Sequence, residues 1–396
     1  MNQEKDSPAV LETVGFQTGQ PLTGSAMGET STTSCCGQRG KTQLSLPSLK
    51  QPFVEGSFQT RVGSVPQISS TLVRADLWGS IKARWGVGRM HYIIEPGLYA
   101  IGSPDDQTPV LVTGNYKMSF DQLREALSGR HAWLLVLDTK GINVWCAAGK
   151  GTFGTEELVR RIESNGLTRI VAHRQLILPQ LSGPGIAAHK VKKLSGFKVV
   201  YGPIKATDLP AFLDAGLKAT SEMRLKTFTI RERAVLIPVE LVSVLKWALI
   251  ILPAFFFLGG LGGQAGYWSS ALNYGLFAVV AMLCAVAAGA VLTPILLPWL
   301  PGRAFSVKGL IMGLITFLIL TTFRTGNFSD WAGRVEILAW FLLIPAITAF
   351  LAMNFTGAST YTSLSGVKKE MKWAVPLEIA AGAAGLLLWL GSRLAI

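Results

Sequence analysis

The chain has 396 residues, a formal net charge of +13, only 15% charged residues and a mean hydropathy of +0.38. These values exclude a uniformly water-soluble protein and point to a soluble part joined to a membrane part. Four cysteines are too few for a disulfide scaffold. No interleaving of arginine with aromatic residues marks a nucleic-acid groove, so the positive balance is read as contact with membrane lipid and as topology.

Residues 1–70 are rich in Ser, Thr, Gly, Gln and Pro. Such a composition buries too little apolar surface to offset chain entropy, which predicts a disordered tail. Its start, Met1-Asn2-Gln3-Glu4-Lys5-Asp6, lacks the apolar core of a signal peptide.

Residues 71–235 alternate short apolar runs with amphipathic stretches. Strands are expected over 98–101, 109–113, 133–137, 142–146, 169–172 and 198–201, and helices over 120–127, 155–164, 186–194 and 208–217. This alternation predicts an α/β domain with a Rossmann-like, mostly parallel sheet. Ligands of such sheets gather beyond the carboxyl ends of the strands. Thr113-Gly114-Asn115, Cys146-Ala147-Ala148-Gly149 and Gly202-Pro203 fall at such ends.

From residue 236 the composition changes. Five apolar segments, 236–259, 271–299, 305–323, 337–355 and 374–392, predict an all-α transmembrane domain of five helices. Arg224, Lys226, Arg231 and Arg233 precede the first span, Arg303 and Lys308 lie around the second connection, and Lys368, Lys369 and Lys372 precede the last span. Arg324 and Arg334 weaken this contrast without reversing it. The expectation is a multi-pass protein of the inner (cytoplasmic) cell membrane, its soluble domain cytoplasmic and its C-terminus outside. Glu240, Lys246 and Glu378 are read as snorkelling near span ends, and Cys284 as packing. Trp247, Trp268, Trp299, Trp331 and Trp373 suit interfacial belts.

The stretch Asn143-Val144-Trp145-Cys146-Ala147-Ala148-Gly149-Lys150 offers a thiol where an apolar run gives way to small residues, an expected strand-to-helix turn. Gly149-Lys150-Gly151-Thr152-Phe153-Gly154 has the spacing of a dinucleotide fingerprint, but after Glu163 the next acid is Asp208, too distant for the ribose. A phosphate-binding Walker loop fails too, because Val144 holds the first glycine position. No histidine shows a pairing signature with Cys146, and no close set of ligands suggests zinc. Taken alone, Cys146 also fits a small buried hydrophobe.

The octapeptide resembles the cap-helix motif of the mercury-methylating corrinoid proteins. Pro109–Asn115, Leu181-Ser-Gly-Pro-Gly185 and Leu194–Pro203 are similar to the corrinoid-binding domain of the corrinoid iron–sulfur protein of acetogens and methanogens. Together with the five spans, the resemblance covers residues 71–396. It implies a cobalamin-type corrinoid, with Cys146 as the catalytic lower axial ligand to its cobalt. Thr113, Asn115, Asn143, Val144, Trp145, Ala147, Ala148, Gly149 and Lys150 would surround the cofactor, the small residues letting the corrin approach. The Asp-x-His-x-x-Gly corrinoid signature is absent, so no histidine of that motif competes with the cysteine.

The reaction so implied transfers a methyl group to Hg(II), forming methylmercury. A soft cation must take the methyl with electrons, and a thiolate trans to it favours that departure. The chain has no cluster-type cysteine run. The resemblance therefore implies a ferredoxin partner with two 4Fe–4S clusters, and a methyltetrahydrofolate-dependent methyl donor. Cys35 and Cys36 are either an incidental pair or a transient Hg(II) site. The basic run Lys190–Lys193 is either a solvated face or a ferredoxin contact. Two other functions fit the layout: a corrinoid methyl carrier of one-carbon metabolism, and a transporter with a cytoplasmic ligand-binding domain. Against the transporter, ionisable residues are scarce in mid-span.

Overall fold

Three runs, Gly97–Ile101 (β3), Val110–Gly114 (β4) and Ala132–Leu137 (β5), are buried at every residue. Strands that apolar need cover on both faces, and they form the middle of a sheet. The computed structural model describes residues 44–262, 266–324, 330–355 and 364–394, side chains 364 and 365 excepted. Cys35, Cys36 and the rest of residues 1–43 lie outside the described residues.

Among the described residues the sheet has seven strands. Val54–Thr60 (β1), Gly63–Ile68 (β2), Gln175–Leu178 (β6) and Lys198–Tyr201 (β7) complete the order β1-β2-β3-β5-β4-β6-β7. β4 runs parallel to both β5 and β6, and β6 to β7. β2 is parallel to β3, whereas β1–β2 and β3–β5 are antiparallel. Alternate strand residues feed two cores. Leu98, Val110, Val112, Leu135 and Leu137 meet Ala147, Leu158, Ile162 and Val191 from Val144–Lys150 (α3), Thr155–Ser164 (α4) and Ala188–Ser195 (α5). Tyr99, Leu111, Leu134 and Val136 meet Phe120, Leu123 and Phe212 from Lys117–Ala126 (α2) and Leu209–Asp214 (α6). The result is a three-layer α/β unit.

Three expectations need correction. A tail to residue 70 extends too far, because β1 and β2 join the sheet and bring Val65 and Ile68 into the cores. β1 alternates half-buried with exposed residues and β2 buries only three of its six, so the hairpin's composition reads as polar. The strand expected over 142–146 is instead the capped start of α3. The run 169–172 is no strand; its buried Val171 fills the core ahead of β6, which starts at Gln175. The helix expected over 155–164 has those same bounds.

Among the described residues, five helices are long and apolar enough to cross a membrane: Ile230–Leu258, Tyr267–Leu296, Phe305–Arg324, Trp331–Asn354 and Gly366–Leu394. The third and fourth approach closely. A Cβ on Gly313 would strike the Thr348 hydroxyl and lie 2.6 Å from Pro345 Cα. Small residues at such crossings replace the hydrophobic drive that lipid removes. Glu336 is bridged to Arg324 at 3.4 Å and to Arg393 at 3.1 Å, which compensates charges that could not stay buried alone.

Candidate functional site

The parallel strands β4, β6 and β7 end on one edge of the sheet, where the loops that follow them leave a crevice. A cleft of about 320 Å³ opens there. Thr113 comes from the end of β4, Pro179 follows β6 and Pro203 follows β7. Asn143, Val144 and Trp145 close it from the start of α3.

The loop into α3 is held from within. Lys140 and Gly141 both adopt left-handed conformations, with φ of 57° and 70°. This sharp reversal leaves backbone donors pointing inward. Asn115, only 3% exposed, satisfies them: its Oδ1 accepts from the Thr139 N–H at 3.0 Å and the Gly141 N–H at 3.1 Å. The Thr139 hydroxyl lies 2.9 Å from the same oxygen and 2.7 Å from the Ile142 carbonyl, so its one proton serves one acceptor at a time. Asn115 Nδ2 donates to Asp138 at 3.3 Å. The Asp138 N–H donates to Glu157 on α4 at 2.9 Å. Burial pushes the Glu157 carboxyl up, but the Asp138 amide, Arg161 and Arg160 together hold it below the usual carboxylate range. Asp138 is likewise lowered, burial being outweighed by Lys140.

Asn143 then caps α3. Its backbone is extended (φ −62°, ψ 157°), and its Oδ1 accepts from the Cys146 N–H at 2.9 Å. The cap fixes Cys146 in the first helical turn, half-buried, one residue beyond the cleft lining. Gly151 ends the helix in a left-handed conformation, φ 81°, as a residue without Cβ readily does.

The structure thus divides the predicted site. Thr113, Asn143, Val144 and Trp145 meet in the cleft, and Cys146 stands beside them. Asn115 does not line the cleft and braces the loop instead. Ala147 and Ala148 are buried inside the domain, so their small size answers an inner neighbour. A Cβ on Gly185 would strike the Phe153 carbonyl and lie 3.0 Å from Ala148 Cα. Gly149 and Lys150 are exposed, and open space surrounds a Cβ at Gly149. Leu181, from a loop that carries the resemblance, also lines the cleft, as do Tyr116, Met118 and Ile204, which the sequence does not single out. Each follows a strand end within a few residues, which was the available signal. An open, mostly apolar cleft beside an uncrowded helix turn fits one face of a large flat ligand, with Cys146 as the adjacent soft donor.

Residues 89–213 match the protein family described as the CO dehydrogenase/acetyl-CoA synthase delta subunit. The acetyl-CoA decarbonylase/synthase complex subunit gamma of Methanopyrus kandleri is 36% identical over 124 residues, 31% of this chain and 26% of that one. The corresponding subunit of Archaeoglobus fulgidus is 31% identical over 123 residues, again 31% and 26% of the two chains. The corrinoid/iron–sulfur protein large subunit of Moorella thermoacetica is 27% identical over 126 residues, 31% of this chain and 28% of that one. The chain thus spans about a quarter of the length of these relatives. The five long apolar helices lie outside the residues that match the family. The α/β unit is a domain related to that of the corrinoid iron–sulfur proteins, joined here to a helical part suited to a membrane.

Proposed function

We propose that this chain is a membrane-anchored corrinoid methyltransferase that methylates Hg(II), with Cys146 as the residue that would hold the corrinoid's cobalt. One observation carries the reading. The octapeptide around Cys146 forms a capped helix beside the cleft at the strand ends of a domain similar to corrinoid proteins. The corrinoid, when bound, supplies a transferable methyl group on a redox-active metal. The chain supplies position. Thr113 and Trp145 line the cleft, Asn143 fixes the turn, and Gly149 leaves space beside it. Cys146 supplies an electron-rich sulfur, suited to sending the methyl group to a soft cation with its electrons. A partner would supply electrons between cycles, for which a two-cluster ferredoxin is suited, and a methyltetrahydrofolate-dependent donor would supply the methyl group. The soluble domain faces the cytoplasm in this reading.

A corrinoid methyl carrier of one-carbon metabolism is the second reading, and the names of the relatives favour it. The two differ at Cys146, since a carrier that passes a methyl cation gains little from a thiolate donor. The test is anaerobic purification of the full chain with corrinoid, and its visible spectrum for wild type and Cys146→Ala. A spectral change on losing the sulfur is expected, followed by methylmercury formation with reduced ferredoxin and a methyl donor. A protein that retains no corrinoid defeats both readings. An unchanged spectrum removes Cys146 from the metal. A sulfur-dependent spectrum without methylmercury leaves the carrier.

A further inference from the structure

Arg74–Arg84 (α1) packs with its polar and small side inward. The Asp76 carboxylate accepts from Lys117 at 2.6 Å and from Arg124 at 2.6 Å. Ala83 is fully buried, and a Cβ on Gly79 would lie 2.7 Å from the Tyr92 ring. Residues three and four apart share a helix face, so fastening 76, 79 and 83 inward turns 73, 77, 81 and 85 outward. Val73, Leu77, Trp78, Ile81 and Trp85 are accordingly 44–59% exposed. Val87, Met90 and Ile93 extend this surface, and Arg74, Lys82, Arg84 and Arg89 are set among them. Eight large apolar side chains clustered in one exposed segment mark an interaction surface.

The surface runs into the first span. Trp85 shares a cleft with Leu241, Leu245 and Trp247. A Cβ on Gly86 would lie 3.8 Å from Val239 and 3.9 Å from Val242. The segment is therefore held against a helix suited to hydrocarbon, along residues 239–247 of that helix. Tryptophan with aliphatic side chains and interspersed arginine and lysine is the mixture that settles at the headgroup boundary, and its cations favour anionic lipid.

We infer that residues 73–93 form an interfacial anchor that seats the α/β domain on an anionic bilayer surface beside the first span. The anchor also touches the candidate site. A Cβ on Gly141 would lie 2.6 Å from Ile93 and 3.2 Å from the Met90 carbonyl, so the loop leading into Asn143 rests on the anchor. Lipid contact thereby holds the entrance to α3 next to the membrane. The inference is independent of the cofactor and of the reaction.

Nitroxide accessibility in the full-length chain tests it. Cys35→Ser, Cys36→Ser, Cys146→Ser and Cys284→Ser provide the background, with Leu77→Cys, Ile81→Cys or Ser128→Cys as single label sites. Ser128, exposed beyond the end of α2, is the aqueous control. The protein is reconstituted in vesicles of mixed phosphatidylglycerol and phosphatidylcholine. Labels at 77 and 81 should give an oxygen-to-nickel accessibility ratio several-fold above that at 128. Equal ratios at all three sites overturn the anchor. Protection of 77 and 81 from both reagents also overturns it, because a second copy or another protein then covers this face.

Discussion

Asn115→Ala should loosen the loop that carries the chain into Cys146, with little effect on the sheet. The side chain sits at the end of β4, and its loss strands two buried backbone donors, Thr139 N–H and Gly141 N–H. Thr139 Oγ1 keeps an acceptor in the Ile142 carbonyl. Each stranded donor costs about 1–3 kcal/mol, and water entering from the cleft recovers part, so local opening becomes easier by about 2–4 kcal/mol. At about 1.4 kcal/mol per factor of ten, the two amides should exchange about 30- to 1000-fold faster. Hydrogen exchange on the full-length protein in detergent or nanodiscs measures this. Amides in the middle of β4 and β5 serve as internal controls. A change below about threefold at both loop amides would refute the brace, since that corresponds to under about 1 kcal/mol. Asn143→Ala removes only one cap bond, so the Cys146 amide should lose about 1 kcal/mol of protection.

Gly185→Ala should destabilise the α/β unit by about 1–3 kcal/mol, because the added methyl strikes the Phe153 carbonyl and presses on Ala148; an unchanged denaturation midpoint would count against that packing. Arg124 is fully buried and bonds to Asp76, Asp121 and the carbonyls of Ser69 and Thr71. Arg124→Met leaves Lys117 as the one cation bridging these two carboxylates and should cost about 3–5 kcal/mol in chemical denaturation. The loop should also loosen in acid. Glu157 and Asp138 have lowered folded-state pKa values, so their contribution is complete above about pH 5 and is lost as pH falls below about 4. The protection factor of the Asp138 amide reads this directly, and a flat profile across that range would contradict it. In the membrane part, Gly313→Leu should separate the third and fourth spans and lower the midpoint of thermal unfolding in micelles.

Much of the layout was legible in the sequence. Apolar runs and helical periods located β3, β4, β5 and β7, set both ends of α4, and marked the five spans. The resemblance carried by Asn143–Lys150 pointed to the corrinoid proteins, and relatives of that kind match the domain. Periodicity records how often a residue turns inward, and it says nothing of which neighbour it meets. Asn115 was read as a cofactor contact, yet its partners lie 24 and 26 positions away on a loop whose left-handed turn no local pattern announces. Gly185 has no side chain where the backbones of Phe153 and Ala148 pass close to it, a contact made only when the chain closes on itself. The outward apolar face of α1 has the same origin. Asp76 is held by Lys117 and Arg124, 41 and 48 residues away, and this anchoring turns the helix over. The sequence by itself determined which segments become strands, helices and spans. Tertiary contacts between distant residues decided which faces of them are packed inward and which stay open.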